Sequence, residues 1–268
     1  MSTSAAGSPR VLGCIMTYES IRYERTGRVA VIVYDRQERR NAWNVPMYRE
    51  IVQAVEAANA DDGVGAIVFT HDGPVYCAGT DFKAAPEPPD PVTGRRPNIA
   101  MTSMAQDQSW LHLLARSKPT IGAIRGAALG LGVTQILPFD IRIGGEGSTY
   151  AFPFLRLSLM PELGCTALLP RLVGYGRAVQ ICLSAATLDA REAERIGLIT
   201  GIYPDEKVLS QAIALGEQIA GYPALQTRLT RDLLRDNAGE HDFNRLLQRE
   251  TDAFITMFKT RKREGGAP

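Results

Sequence analysis

The sequence predicts an α/β fold, on two observations. Short runs of β-branched and aliphatic residues, such as VAVIVY from Val29 to Tyr34, alternate with stretches whose apolar residues recur at helical spacing. Of the 268 residues, 45% are apolar and 22% charged, which suits a chain that buries a full core and excludes disordered or collagen-like classes. This length allows one large domain, or a domain with a smaller annex.

Taken in order, residues 1–16 are small and polar with one short apolar patch. They read as a disordered extension without the apolar region of a signal peptide, and Met16 is a candidate original start. Val29 to Tyr34 is a strand by its length and β-branching. Tyr48 to Ala60 carries Ile51, Val52, Val55 and Ala58 on one helical face, and Ala66 to Thr70 is the next strand. From Ala84 to Asn98 five prolines bar regular structure, and a surface loop and a mobile lid stand as equal alternatives. Thr120 to Ile124 is a strand, followed by a helix from about Gly130 and a strand from Asp140 to Gly144. The longest apolar stretch, Ile121 to Phe139, is interrupted by Arg125, Gln135 and Pro138, and so reads as a strand and a buried helix, not a membrane span. Beyond Pro204, Lys207 to Ala220, Pro223 to Asn237 and Asp242 to Lys262 show helical periodicity. Leu229, Leu233 and Leu234, then Phe243, Leu246 and Leu247, form apolar faces that exceed what a small annex buries on its own core. The expected organisation is therefore an extension (1–16), an α/β core that carries the site (17–204) and a helical C-terminal region (205–268) that packs on a neighbouring subunit.

Thirty Lys and Arg against 29 Asp and Glu leave a formal net charge of +1, so no global field recruits nucleic acid or an anionic membrane. Cys14, Cys77, Cys165 and Cys182 form no CxxC pair, which points to a reduced, cytoplasmic protein. His71, His112 and His241 share no ligand spacing, and no metal site is expected.

Two glycine-bearing segments stand out. In YCAGTDF (Tyr76 to Phe82), Gly79 lets the backbone adopt a strained conformation and lets a ligand approach, so that the following N–H groups face outward. In GAALGLG (Gly126 to Gly132), small residues precede a helix whose unpaired N–H groups can face a developing negative charge. Alone, each is a common strand-to-helix turn; together they can aim two donors at one oxygen. Asp81 reads first as an Asx cap of its own turn. Cys165 reads as a packed thiol, and Thr134 and Gln135 either contact a bound chain or are polar groups inside a helix.

These segments, with ERRNAW (Glu38 to Trp43), KPTIGAIRGAALGLG (Lys118 to Gly132) and LDAREAERIGLI (Leu188 to Ile199), occur in an order that resembles the crotonase superfamily, the enoyl-CoA hydratase/isomerase family, over about residues 17 to 263. The resemblance implies a spiral of repeated ββα units, a helical C-terminal region that builds trimers or hexamers, and an acyl-CoA thioester as substrate, with no cofactor beyond that coenzyme A. It puts the oxyanion donors on the backbone N–H of Thr80 and of Leu131, the latter where glycine is commoner. It also sets Arg40 beside the CoA and the backbone of Ala78 near the adenine, with Gly79 and Asp81 in the same binding turn. The basic cluster Lys259, Arg261, Lys262 and Arg263 is a candidate phosphate contact or a solvated terminus.

The same resemblance puts the two hydratase glutamates at Thr134 and Phe154, where neither side chain transfers a proton and the Phe154 ring displaces water. Instead, Glu162 in LSLMPELGCT matches the single proton-shuttling glutamate of peroxisomal-type Δ3,Δ2-enoyl-CoA isomerases. An apolar wall of Phe154, Leu131 and Leu163 is expected to raise its pKa. The plainer alternative makes Glu162 an acidic residue of a helix's first turn. The expected activity is isomerisation of a 3-enoyl-CoA to the 2-enoyl form. The rivals are another crotonase reaction, such as hydration or thioester or C–C cleavage, and a silent acyl-CoA-binding paralogue.

Overall fold

In the computed structural model, Ile21–Thr26 (β1) and Val29–Tyr34 (β2) form an antiparallel hairpin, with Ile21 opposite Tyr34, that turns at Gly27, φ +54°. The structure describes residues 17–91, 94, 96–105 and 109–263. The expected extension, residues 1–16, lies outside the described residues. After a single 3₁₀ turn comes α1 (Val45–Ala60), capped by Asn44, whose side chain accepts the Met47 N–H, and with Pro46 in its first turn. The helix starts three residues before the predicted start at Tyr48 because the cap, not the periodicity, sets its beginning.

Ala66–His71 (β3) lies parallel to β2. The proline-rich segment then leads to the short helices α2 (Ile99–Met104) and α3 (Trp110–Ala115) and to Thr120–Ile124 (β4), parallel to β3. Ala127–Leu129 (β5) leaves the main sheet and runs into α4 (Leu131–Thr134). This is one turn where the sequence suggested a longer helix, since Pro138 lacks the N–H that would carry it on. Ile141–Gly145 (β6) returns beside β4, and Thr149–Ala151 (β7) beside β5. The hairpin of α5 (Cys165–Val173) and α6 (Tyr175–Leu183), then Thr187–Asp189 (β8) and α7 (Ala190–Arg195), lead to Gly201–Tyr203 (β9) beside β6. The main sheet has the order β1-β2-β3-β4-β6-β9 and the small sheet β5-β7-β8.

The main sheet is covered on both faces, which is why β2 and β3 are apolar without alternation. Ala30, Ile32 and Tyr34 face a core with Trp43, Tyr48, Phe69, Trp110 and Phe139, while Val29, Val31 and Val33 pack with Val208 and Ala212 of α8 (Val208–Ala220). Two further helices, α9 (Ala224–Asn237) and α10 (Phe243–Arg263), complete the C-terminal region. Arg231 fastens α9 to the core: its Nε lies 2.7 Å from Asp140 Oδ1, and its other nitrogens donate to the carbonyls of Leu114, Ala115 and Ser117 at the end of α3. Leu234, Phe243, Leu247, Phe254 and Phe258 remain exposed on these helices.

Candidate active site

The segment after β3 is strapped down by residues 40–43. Asn41, buried at φ +53°, accepts the Arg36 N–H at 2.9 Å and donates to the carbonyls of Asp72 (3.0 Å) and Val75 (2.9 Å). The Ala78 N–H then donates to Arg40 O, the Trp43 N–H to Gly79 O and the Asp81 N–H to Trp43 O, at 2.8–3.0 Å. Between these fixed residues the Thr80 N–H has no protein acceptor among the described residues. Asp81 holds its own turn: Oδ1 accepts the Lys83 N–H at 3.0 Å, and Oδ2 lies 2.8 Å from Arg36 Nη1. Burial pushes this carboxyl up, but the Arg36 guanidinium beside it and the Lys83 amide outweigh burial and hold the group below the usual carboxylate range.

The second turn lies against the first. The Cys77 N–H donates to Ala127 O at 3.2 Å and Cys77 O accepts the Leu129 N–H at 2.9 Å. Gly130, at φ +56°, breaks the strand, and α4 begins at Leu131, whose N–H also lacks an acceptor among the described residues. A side chain on Gly79 would bring its first carbon to 2.8 Å from Leu129 O and 3.5 Å from Leu131 N. The two free N–H groups thus sit on segments in van der Waals contact, as an oxyanion hole requires.

A chamber of about 550 Å³ opens from this point. Its wall includes Thr80, Asp81, Phe154 and Glu162 of the sequence-predicted residues, with Val45, Pro46, Ile99, Leu159 and Met160 as apolar lining. The proline-rich segment, left open between loop and lid, supplies one side through Ala84 to Glu87 and Arg96 to Asn98. Glu87 is paired with Arg49 at 3.1 Å.

Glu162 is half-buried and three residues ahead of α5, so the alternative of a first-turn helical acid does not hold. Leu163 (φ +52°) and Gly164 (φ +73°) turn the chain sharply between it and the helix. Its carboxylate has no hydrogen-bonding or ionic partner among the described residues, and burial pushes it above the usual carboxylate range. Phe154 is only 3% exposed and presents its ring to the same chamber.

Leu131, Gly79, Ala78, Arg40 and Thr134 lie outside the chamber wall. Leu131 and Gly79 belong to the donor turns, and Arg40 is an exposed left-handed residue that holds Ala78 through its carbonyl. Thr134 is buried, its hydroxyl donating to Leu131 O at 3.3 Å inside α4, and Gln135 is likewise buried. Cys165 is a packed thiol, as read. Lys259 is exposed on α10, while the side chains of Arg261, Lys262 and Arg263 lie outside the described residues. A cavity of about 980 Å³ between α9 and the core contains none of the predicted site residues. No group of three or more His, Cys, Asp or Glu suited to a metal ion occurs among the described residues, and no described helix is long and apolar enough to cross a membrane. The sequence reading missed Asn41 and Arg36, although both flank or lie within the quoted ERRNAW segment.

The fold and the two adjoining turns with free N–H groups, one of them at a lined chamber, place the chain in a class that comparison with known proteins defines. Residues 24–267 match the family described as enoyl-CoA hydratase/isomerase, and the chain belongs to that family. It is 33% identical to the enoyl-CoA hydratase AFT3-1 of Alternaria alternata over 244 residues, 89% of this chain and 78% of that protein. It is 28% identical to the 2,3-dehydroadipyl-CoA hydratase of Escherichia coli K12, over 90% of this chain and 91% of that one. The crystal structure of an enoyl-CoA hydratase from Bacillus anthracis superimposes with a TM-score of 0.79 at 24% identity, covering 93% of this chain and 98% of that chain, and shares the fold.

Proposed function

We propose that this protein is an acyl-CoA isomerase that moves the double bond of a 3-enoyl-CoA to the 2 position, with Glu162 as its single proton shuttle. One observation carries the reading: of the three carboxylates in the chamber wall, Asp81 and Glu87 are each paired with an arginine, and Glu162 is unpaired among the described residues. The Glu162 carboxylate takes a proton from C2, and the electron pair moves through the thioester to its oxygen, held by the N–H groups of Thr80 and Leu131. The resulting dienolate recovers a proton from the same carboxylic acid at C4, which leaves the double bond between C2 and C3. Phe154 keeps water from the intermediate. Arg40 and the backbone of Ala78 and Gly79 receive the coenzyme A, which is part of the substrate; no other cofactor and no metal is required. The enzyme works as a cytoplasmic homotrimer or hexamer.

The relatives above are named hydratases. Hydration needs one group to deprotonate water and another to protonate the neighbouring carbon, and the resemblance puts those positions at Thr134 and Phe154, which do neither. The test supplies 3-enoyl and 2-enoyl thioesters separately to wild type and to Glu162→Gln. Isomerisation is expected to fall by ~100-fold or more while acyl-CoA affinity changes little, with only feeble hydration by wild type. Efficient hydration by wild type, or an unimpaired Gln variant, overturns the assignment. Acyl-CoA binding without turnover of any thioester supports the silent paralogue instead.

A further inference from the structure

The two donor turns are joined at one residue, Cys77. Its backbone pairs with Ala127 and Leu129 ahead of α4, and a side chain on Gly132 would meet Cys77 O at 2.2 Å, so the first turn of α4 rests on it. The fully buried sulfur folds back onto its own turn: the Gly79 N–H donates to Sγ at 3.4 Å, and the S–H reaches Gly79 O at 3.8 Å. That carbonyl shares a peptide plane with the Thr80 N–H. In a trans peptide the two point in opposite directions, so whatever draws Gly79 O into the core directs the Thr80 N–H outward. Cys77 and the Trp43 N–H, at 2.8 Å, both hold this oxygen.

Gln135, next after α4, is fully buried. Its Oε1 accepts the Tyr34 hydroxyl at 2.7 Å and its carbonyl accepts the Trp110 Nε1–H at 2.8 Å, so the side chain is fixed. Its Nε2 is buried with no hydrogen-bond partner among the described residues. Burial pushes the Cys77 thiol up to about 12, so it keeps the proton it directs at Gly79.

We propose that Cys77 is a positioning residue: its thiol fixes the Gly79–Thr80 peptide and thereby the aim of one of the two oxyanion donors. The proposal rests on the reading of Thr80 and Leu131 as those donors, and not on Glu162. It assigns a chemical task to a buried cysteine that has no place in the proton transfer.

The test measures carbonyl polarisation without turnover. Butyryl-CoA carrying ¹³C at the thioester carbonyl is bound to each protein and its carbonyl stretch recorded by difference infrared spectroscopy. Wild type and Glu162→Gln are expected to show the same shift to lower frequency. Cys77→Ala is expected to lose at least half of it while affinity changes less than ~3-fold, and Cys77→Ser, which keeps a donor and acceptor, to recover most of it. A folded Cys77→Ala with the full wild-type shift overturns the proposal while leaving the oxyanion reading intact. Should Cys77→Ala lack a native near-ultraviolet circular dichroism spectrum, Cys77→Val, which fills the space without a donor or acceptor, carries the comparison: a reduced shift supports the proposal and a full one overturns it. Absence of any shift in wild type overturns both the oxyanion reading and the proposal built on it.

Discussion

Glu162 is the residue whose surroundings say most about its use. A carboxylate pushed up by burial alone, with no cation to stabilise its charge, is a better base than an ordinary surface glutamate. Isomerase activity is therefore expected to require the ionised form and to show an acid limb above the usual carboxylate range, which a pH–rate profile of kcat/KM measures. The same burial fixes a sign for stability. The fold favours the protonated form, so this residue supports folding below its unfolded pKa of about 4.3 and that support is lost as pH rises through the raised folded value. Glu162→Gln should therefore melt at a slightly higher temperature than wild type at pH 7, by on the order of a degree or two, and the difference should close near pH 4. An equal melting temperature at pH 7 would mean that the carboxylate is solvated. Thr80 and Glu162 were legible in the sequence because each sits in a short quoted motif. The burial of Thr134 was not, because a threonine inside a helical stretch looks the same whether it faces ligand or backbone.

Among the elements, the donor turns depend on close backbone approach. Gly132→Ala places a methyl 2.2 Å from a carbonyl oxygen that is itself strand-paired, so neither side can yield; a loss of about 3 kcal/mol or more in denaturant unfolding is expected. Gly79→Ala, at φ +99° and 2.8 Å from Leu129 O, should separate the two N–H groups and lower turnover more than stability. Elsewhere α9 is held through Arg231, which joins Asp140 and the end of α3. Arg231→Ala is expected to cost about 2 kcal/mol and to expose the segment after Pro223 to limited proteolysis, with the α/β core left intact. An unchanged digestion pattern would show that packing alone secures the helix. The long elements were readable from periodicity: β2, β3, α1 and the three C-terminal helices all appear where apolar spacing put them. The three-residue strands β5, β7, β8 and β9 were not, since a run that short carries no period, and their pairing is set by the turns they join.

At the scale of the whole molecule, the C-terminal helices carry more apolar surface than this chain covers. Leu234 on α9 is 71% exposed, and on α10 Phe243 is 78% exposed with Phe254 and Phe258 half or more exposed. Light scattering at micromolar concentration is expected to give a trimer or hexamer mass, and Phe254→Asp combined with Phe258→Asp to shift it toward the monomer without loss of helical signal. A wild-type monomer mass would refute the assembly. The α/β class was legible because alternating segments of two periods leave few architectures open. The small second sheet was hidden because it pairs three-residue segments about twenty and about forty residues apart, and the bridge from Cys77 to its strand β5 spans about fifty.

The order of the main sheet, in which every strand pairs with the next one made, also has a meaning in time. During synthesis each newly emerged strand meets a finished edge and no completed strand must be parted to admit it, so the sheet can grow as the chain lengthens. The whole chamber wall lies between residues 44 and 162, and the chain that follows adds the outer strand β9 and the helical surfaces. The chemistry is therefore written in one uninterrupted passage. An exchange of that passage between two chains of this family would carry over its acid–base groups, while the later helices keep the recipient's assembly.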